Sequence, residues 1–556
     1  MSATSPLKLF ELHQPLIDRA VEAIRSREYW SPYSENLKKY AEDKVKSARS
    51  DFDALCGQPF KLDSVKSAQS ITGERSPYGF DLGISYDQPD VDALLDAMQA
   101  AMPEWRAIGA KGRIGVCAEI LKRLNEASPL IGQTVMHASG QGLMMAFQAG
   151  APHAQDRGLE AVAYAWSTMR DIPEQAKWEK PQGKLDPLVM EKRYHIVGRG
   201  IGLVVGCSTF PTWNTYPGLF ASLATGNPVI VKPHPTAILP AALSVKIAQE
   251  VLKEAGLPAC LVSLVPDTQA EPITKVLAMD KRVKLIDFTG SNAFGNWLED
   301  NARHARVFTE KAGVNSIIVD SVSDLKAVTR NLAFTLSLYS GQMCTTTQAI
   351  YVPKGGIQTP EGKVSFDEFA QALATATTKF LSDNDRACMV LGAVQSEATA
   401  ARIDECRKLG EIVLDSETRV HPDFPEARIH TPLILKVDGK DKTTYSEERF
   451  GPVSFLIATE STDDSIRLAR EVLHEQGAIT LGFYSTDSKR LEEAEELAIE
   501  VKVALSNNLD GGVFVNQSAA FSDFHATGAN PAANASLTDT AFVANRFVVV
   551  QSRRHI

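Results

Sequence analysis

The sequence contains no C-x-x-C pair: its seven cysteines, Cys56, Cys117, Cys207, Cys260, Cys344, Cys388 and Cys406, are odd in number and widely scattered. That excludes a disulfide framework and the common zinc spacings, so no metal site is expected. There is no long basic run either; 58 basic against 68 acidic residues give a formal net charge of −10. Phosphate neutralisation needs clustered Lys and Arg, so nucleic acid is not an expected partner. No apolar stretch approaches the ~20 residues that a bilayer-spanning helix requires. Runs such as I-G-L-V-V-G-C, ending at Cys207, are far shorter, and no membrane partner is expected. The first residues, M-S-A-T-S-P-L-K-L-F, lack the apolar core of a secretory signal, and with the cysteine usage this points to a reducing cytoplasm.

What is present is a chain of 556 residues, 44% hydrophobic and 23% charged. That composition is globular, and the length calls for two or three domains. Residues 1 to about 80 read as mostly helical, with L-F-E-L-H-Q-P-L-I-D-R-A-V placing apolar residues at helical spacing. A second helical region runs from Val91 to about Gln148, and a polar, Pro-containing stretch from Pro173 to Tyr194 reads as a linker or extended arm. From Gly198 onward, short β-branched runs alternate with helical stretches. Strands that read as continuously apolar, separated by helices, indicate doubly wound parallel sheets. The final strand-like run, R-F-V-V-V-Q-S, is a candidate for pairing with another subunit.

Two segments carry chemistry. S-G-Q-M-C-T-T-T presents Cys344, and F-T-E-K-A-G presents Glu310, 34 residues earlier. A thiol able to attack a carbonyl and a carboxylate able to activate water make a nucleophile and a general base. D-F-T-G-S-N follows an apolar run and opens a helical segment, which places Gly290 and Ser291 at a helix start suited to phosphate. V-I-V-K-P puts Lys232 at a strand end, where ligand sites of open parallel sheets gather. G-R-G-I-G near Gly200 precedes its strand instead of following it, so it reads as a strand-initiating turn.

V-I-V-K-P, F-T-G-S, the Glu310 segment, G-Q-M-C and E-E-R-F-G-P, in that order, resemble the aldehyde dehydrogenase superfamily. The style of C-S-T-F-P-T-W-N-T-Y-P-G and R-E-Y-W-S-P-Y is similar to its phenylacetic acid degradation PaaN branch. The resemblance implies an α/β fold of two doubly wound parallel-sheet domains, a small oligomerisation element and a helical N-terminal extension over 1–80. It divides the chain into a dinucleotide-binding domain (81–172 and 196–310), a catalytic domain (311–529) and an oligomerisation arm (173–195 and 530–556), assembling as a homodimer or homotetramer. It also implies that Cys344 is the nucleophile and Glu310 the base, that Lys232 binds the adenosine ribose, and that Ser291 lies near the pyrophosphate. Glu448 would hold the nicotinamide ribose, with Phe450 against the nicotinamide ring.

Two positions depart from the family pattern. Counting back from Lys232 to the family's oxyanion-binding Asn lands on Thr209, whereas Asn214 comes five residues later. Thr209, Asn214 or the Cys344 backbone N–H alone are the alternatives. Three residues after Lys232, where NAD-preferring relatives carry Glu, stands Pro235; losing that carboxylate favours NADP, with NAD as the other choice. The expected reaction is NAD(P)-dependent oxidation of a small-molecule aldehyde to an acid, with a semialdehyde of aromatic breakdown, free or CoA-linked, as substrate. The rivals are a catalytically silent scaffold, a CoA-acylating dehydrogenase, which typically lacks the equivalent of Glu310, and a cysteine hydrolase. The last needs a His base, and none lies near Cys344 in sequence.

Overall fold

The computed structural model describes residues 5–63, 65–311 and 313–556. Among these, no helix is long and apolar enough to cross a membrane.

The β-branched runs after Gly198 become a five-stranded, all-parallel sheet. Its strands lie in the order Arg306–Glu310, Val283–Thr289, Ile201–Val205, Val229–Lys232 and Val262–Leu264. Ile201–Val205 and Val229–Lys232 are buried at every residue. Helices on both faces of a parallel sheet leave no solvated side, which is why these strands are apolar throughout instead of alternating. The register aligns Val205 with Lys232 and Thr289 with Glu310, so the two charged residues emerge along the same carboxyl-terminal edge.

A second sheet of seven strands runs in the order Glu411–Leu414, Leu433–Asp438, Val453–Thr459, Ala349–Pro353, Ser316–Val319, Thr480–Tyr484 and Ala504–Asn507. Its pairings are parallel except at the Glu411–Leu414 edge. Two apolar clusters, one including Phe455 and Phe483 and the other Ile317 and Leu456, draw on this sheet.

The first 80 residues are less helical than their composition suggests. Helices Pro6–Ser26 and Glu42–Leu55 form, but Pro59–Phe60, Ser67–Ile71 and Ser85–Pro89 make a small three-stranded sheet. Strand Ser67–Ile71 is solvent-exposed over most of its length, so no apolar alternation betrayed it. The extension is integral to the core. Gly115, on helix Gly109–Glu126, sits so close to helix Pro6–Ser26 that a Cβ there would lie 2.3 Å from the Phe10 backbone nitrogen. Buried Glu74 accepts hydrogen bonds from the backbone N–H groups of Ile238 (2.7 Å) and Leu239 (3.1 Å) and from the Tyr86 hydroxyl (2.6 Å). Its carboxylate thereby satisfies orphan donors at the start of helix Leu239–Glu254.

The arm is a hairpin, Gln175–Gln182 and Leu185–Gly198. The C-terminal strand, Phe547–His555, pairs antiparallel with Leu185–Gly198 of its own chain and forms one edge of the three-stranded arm sheet. Arg546, just before that strand, is fully buried and donates to both Asp287 oxygens (2.5 and 2.7 Å) and to the Ser222 hydroxyl (2.8 Å). The charge-assisted fork pins the chain end to the middle of the five-stranded sheet.

Candidate active site

A cavity of about 830 Å³ runs between the two sheets and is lined by Cys207, Thr209, Asn214, Lys232, Asp267, Ser291, Glu310, Cys344, Glu448 and Phe450, among others. It thus gathers every site residue singled out from sequence, Gly290 included.

Cys344 sits on a loop after helix Leu325–Ser337, and the loop is built against local preference. Tyr339, Ser340 and Gly341 take φ of 52°, 47° and 65° in succession. Left-handed backbone costs a non-glycine residue of order 1–3 kcal/mol and persists only where the surroundings impose it. Here the Tyr339 hydroxyl donates to the Ser139 carbonyl (2.5 Å), and Ser340 donates to the carbonyls of Leu391 (3.1 Å) and His430 (3.0 Å). A Cβ at Gly341 would lie 2.4 Å from the Gly451 carbonyl oxygen. Beyond the bend, the Asn315 amide donates to the carbonyls of Cys344 (2.7 Å) and Thr346 (3.0 Å), fixing the segment that carries the sulfur.

Glu310 ends its strand, buried, and is held from two sides. Asn214 Nδ2 donates to its Oε2 at 3.3 Å, and its Oε1 lies 3.2 Å from His525 Nε2. Burial pushes this carboxyl up, but His525, the Cys344 thiol and Arg157 outweigh that and hold it below the ordinary glutamate value. It is therefore ionised at neutral pH. The Cys344 thiol is pushed well up, by burial first and by the Glu310 charge second, so the resting sulfur carries its proton.

Asn214 enters the cavity despite its displacement in sequence. Phe210–Asn214 closes a tight turn, with the Asn214 N–H donating to the Phe210 carbonyl (3.2 Å), and this takes up the five-residue offset. Asn214 opens helix Thr215–Ala224 without capping it; its carbonyl oxygen accepts instead from the Cys207 thiol (3.5 Å). The Thr209 hydroxyl is turned toward Cys207 Sγ (3.9 Å).

His525 is the residue that sequence reasoning missed. Buried in a C-terminal loop, it places Nε2 3.6 Å from Cys344 Sγ, with its ring edge-on to Trp213 (4.6 Å between centroids). The reactive atoms of Glu310, Cys344 and His525 all lie within 4.8 Å of one another.

At the far end of the cavity, Lys232 Nζ meets Asp267 Oδ1 at 2.5 Å. The lysine is lowered by burial, and Asp267 acts against that shift. Asp267 follows strand Val262–Leu264 and is buried. A carboxylate is therefore present beside Lys232 although Pro235 stands three residues after it. Ser291 caps helix Asn292–Asn301, its hydroxyl accepting from the Phe294 N–H (3.4 Å). A Cβ at Gly290 would strike the Phe288 ring that lines the cavity. Half-buried Glu448 is raised to about 7 by desolvation, with Arg402 and the Gly313 N–H opposing.

Residues 84–512 match the profile of the aldehyde dehydrogenase family. The chain belongs to the aldehyde dehydrogenase family. This aldehyde dehydrogenase is similar to the crystal structure of an NAD-dependent aldehyde dehydrogenase from Burkholderia multivorans, at 55% identity and a TM-score of 0.97 over 99% of both chains. It is 27% identical over 418 residues to N-succinylglutamate 5-semialdehyde dehydrogenase of Burkholderia lata, covering 74% of this chain and 79% of that one. A 1-pyrroline-5-carboxylate dehydrogenase from Thermus, solved with bound NAD, shares the fold at a TM-score of 0.72 and 18% identity, covering 95% of this chain and 99% of that one.

A dinucleotide suits the donor set of this aldehyde dehydrogenase. Two carboxylates able to accept ribose hydroxyls, Asp267 and Glu448, line the cavity with the helix start at Ser291 and an aromatic ring, Phe450. Because Glu448 titrates near neutrality, nucleotide affinity should depend on pH. As pH falls through about 7 the carboxylate takes up a proton and loses acceptor capacity, and the linkage weakens binding on the acid side. Fluorescence titration should show the nucleotide Kd rising severalfold from about pH 8 to about pH 6, and Glu448→Gln should flatten that slope.

Proposed function

We propose that this enzyme oxidises a semialdehyde to the carboxylic acid, with Cys344 as nucleophile, Glu310 as general base and NAD as the preferred cofactor. The observation that carries the reading is the convergence of Cys344, Glu310 and Asn214 in one cavity with Lys232, Ser291 and Glu448. A bound dinucleotide would be held by Lys232, Ser291, Glu448 and Phe450, and its nicotinamide would supply the hydride acceptor. The Cys344 sulfur gives up its proton and attacks the aldehyde carbon. Asn214 Nδ2, which in this structure donates to Glu310 (3.3 Å), turns to the developing oxyanion together with the Cys344 backbone N–H. Oxidation leaves an acyl thioester on Cys344, and Glu310 removes a proton from the water that hydrolyses it. An ionised, buried glutamate beside the sulfur favours water as the acyl acceptor over CoA, and an assembled site argues against a silent scaffold.

The substrate class rests on two supports. The C-S-T-F-P-T-W-N segment argues for a semialdehyde from phenylacetate degradation, whereas the Burkholderia relatives are named for succinylglutamate semialdehyde; a semialdehyde is common to both. A nucleotide-reduction screen over aliphatic, aromatic and CoA-linked aldehydes, with identification of the acid product, tests this. Release of acyl-CoA instead of free acid would contradict it.

NAD preference follows from Asp267. Lys232 is already engaged by this carboxylate, so it offers a 2′-phosphate no free positive charge, and the phosphate would be repelled by the carboxylate itself. At ~4 Å such repulsion is worth about 1–4 kcal/mol, about fivefold to several hundredfold in affinity. Steady-state kinetics should give a kcat/KM at least about tenfold higher with NAD than with NADP, and Asp267→Ser should close most of that gap. Equal use of both by the parent enzyme would count against the assignment.

Among the described residues both outer edges of the three-stranded arm sheet are unpaired, and Leu185, Leu188, Val549 and Val550 are exposed on that sheet. That surface supports association with a second copy, which sedimentation velocity would detect.

A further inference from the structure

The role of Cys344 as nucleophile leaves a difficulty that the remaining residues must solve. Its sulfur has to become an anion in a buried pocket, next to a carboxylate that is itself ionised. Both circumstances hold the proton on sulfur. Of the cations that line the cavity, Lys232 is committed to Asp267, Lys311 to Glu299 and Asn296, and Arg402 to the Phe450 carbonyl, while Lys275 lies over the Trp297 ring (4.7 Å). Arg157 lies behind Trp213, its guanidinium carbon 5.4 Å from that ring.

His525 Nε2 is within reach of the problem, 3.6 Å from Cys344 Sγ and 3.2 Å from Glu310 Oε1. Its tautomer follows from the surroundings. Nδ1 is buried and has no hydrogen-bond partner. A hydrogen on Nδ1 would be an unsatisfied buried donor, and would leave the Nε2 lone pair facing a carboxylate. A hydrogen on Nε2 falls between sulfur and carboxylate, and leaves only an unpaired acceptor behind, the less costly arrangement. The ring is fixed by its edge contact with Trp213, and its main chain by an antiparallel bridge to Leu537, whose N–H donates to the His525 carbonyl (2.9 Å).

We propose that His525 is a catalytic residue whose Nε2–H moves its hydrogen bond from Glu310 to the Cys344 sulfur as the thiol ionises. The proton passes from Sγ to solvent, and the sulfur keeps the electron pair that bonds to the carbonyl carbon. No oxidant or reductant takes part in this step. Once the sulfur is acylated the Nε2–H returns to the carboxylate. The base is then aligned for the hydrolytic water. One imidazole hydrogen thus serves both halves of the reaction. The inference depends on Cys344 being the nucleophile, and its test separates the two claims.

The test is the pH profile of iodoacetamide alkylation at Cys344, followed by peptide mass spectrometry on nucleotide-free protein in chelator-containing buffer. The titratable and charged groups facing the sulfur are His525, Glu310, Cys207 and Glu448, with Arg157 behind Trp213; only the first is altered. His525→Gln keeps an amide N–H near the Nε2 position, whereas His525→Asn is too short to reach and His525→Phe has no donor. Alkylation at about pH 7.5 should slow by about tenfold or more in the Asn and Phe variants, with the midpoint raised by about one pH unit or more. The Gln variant should recover most of the parent rate. Should the Phe variant fail to fold, the Gln and Asn pair carries the comparison, since a purely structural histidine would not distinguish them. Equal rates in all variants, or equal losses in Gln and Asn, would overturn the role of His525. A parent protein in which Cys344 resists alkylation across the whole pH range would instead remove the nucleophile assignment.

Discussion

Cys344→Ala should abolish aldehyde-dependent nucleotide reduction, lowering kcat by about 10⁴-fold or more while leaving the nucleotide Kd within about twofold of the parent. The size follows from what is removed: without the sulfur there is no covalent intermediate and no tetrahedral carbon from which hydride can leave. Binding should survive because Lys232, Asp267 and Ser291 are fixed by the ends of strands and the start of a helix, not by the loop that carries Cys344. Substitution by Ser is a less clean experiment, since a hydroxyl keeps the hydrogen bonding of the pocket at much lower nucleophilicity.

Glu310→Gln should split the reaction. The first half remains, so rapid mixing should show a burst of about one equivalent of reduced nucleotide per site. The second half loses its base, and steady-state turnover should fall by about 10²–10⁴-fold. The sign is set by the carboxylate. The parent Glu310 lies below the ordinary glutamate value, so it is unprotonated and able to accept a proton throughout the neutral range. Gln keeps the size of the side chain and an oxygen facing His525 but cannot take that proton. A variant that loses burst and steady state together would show that Glu310 acts before acylation and not after it.

Much of this site was legible in the sequence because it lies at the ends of parallel strands. Lys232 and Glu310 each close a run of buried residues, and strand-end residues of such sheets converge on one edge by topology alone. The residues that sequence left undecided are those whose positions depend on loops. Asn214 reaches the cavity through a tight turn at Phe210–Asn214, which a gapless count cannot anticipate. Asp267 reaches Lys232 from the loop after a different strand, so its carboxylate was invisible to an argument anchored on Pro235. His525 is 181 residues from Cys344 and lies outside any regular element. No periodicity marks it, and only the fold of the C-terminal segment over Trp213 brings it to the sulfur. The small sheet between Pro59 and Pro89 escaped for the opposite reason: its strands are short, and Ser67–Ile71 is exposed over most of its length.

The central claim is that Cys344 carries the acyl group, and the cavity contains a second thiol with which it can be confused. Cys207 lines the same space and bonds to Asn214 at 3.5 Å; burial holds it at about 11. The deciding measurement is acid-quench peptide mass spectrometry of the Glu310→Gln enzyme after one turnover with NAD and a semialdehyde substrate. The account predicts an acyl mass on the peptide containing Cys344 and none on the peptide containing Cys207. An acyl group on Cys207, or reduced nucleotide formed with no acylated cysteine at all, would contradict it.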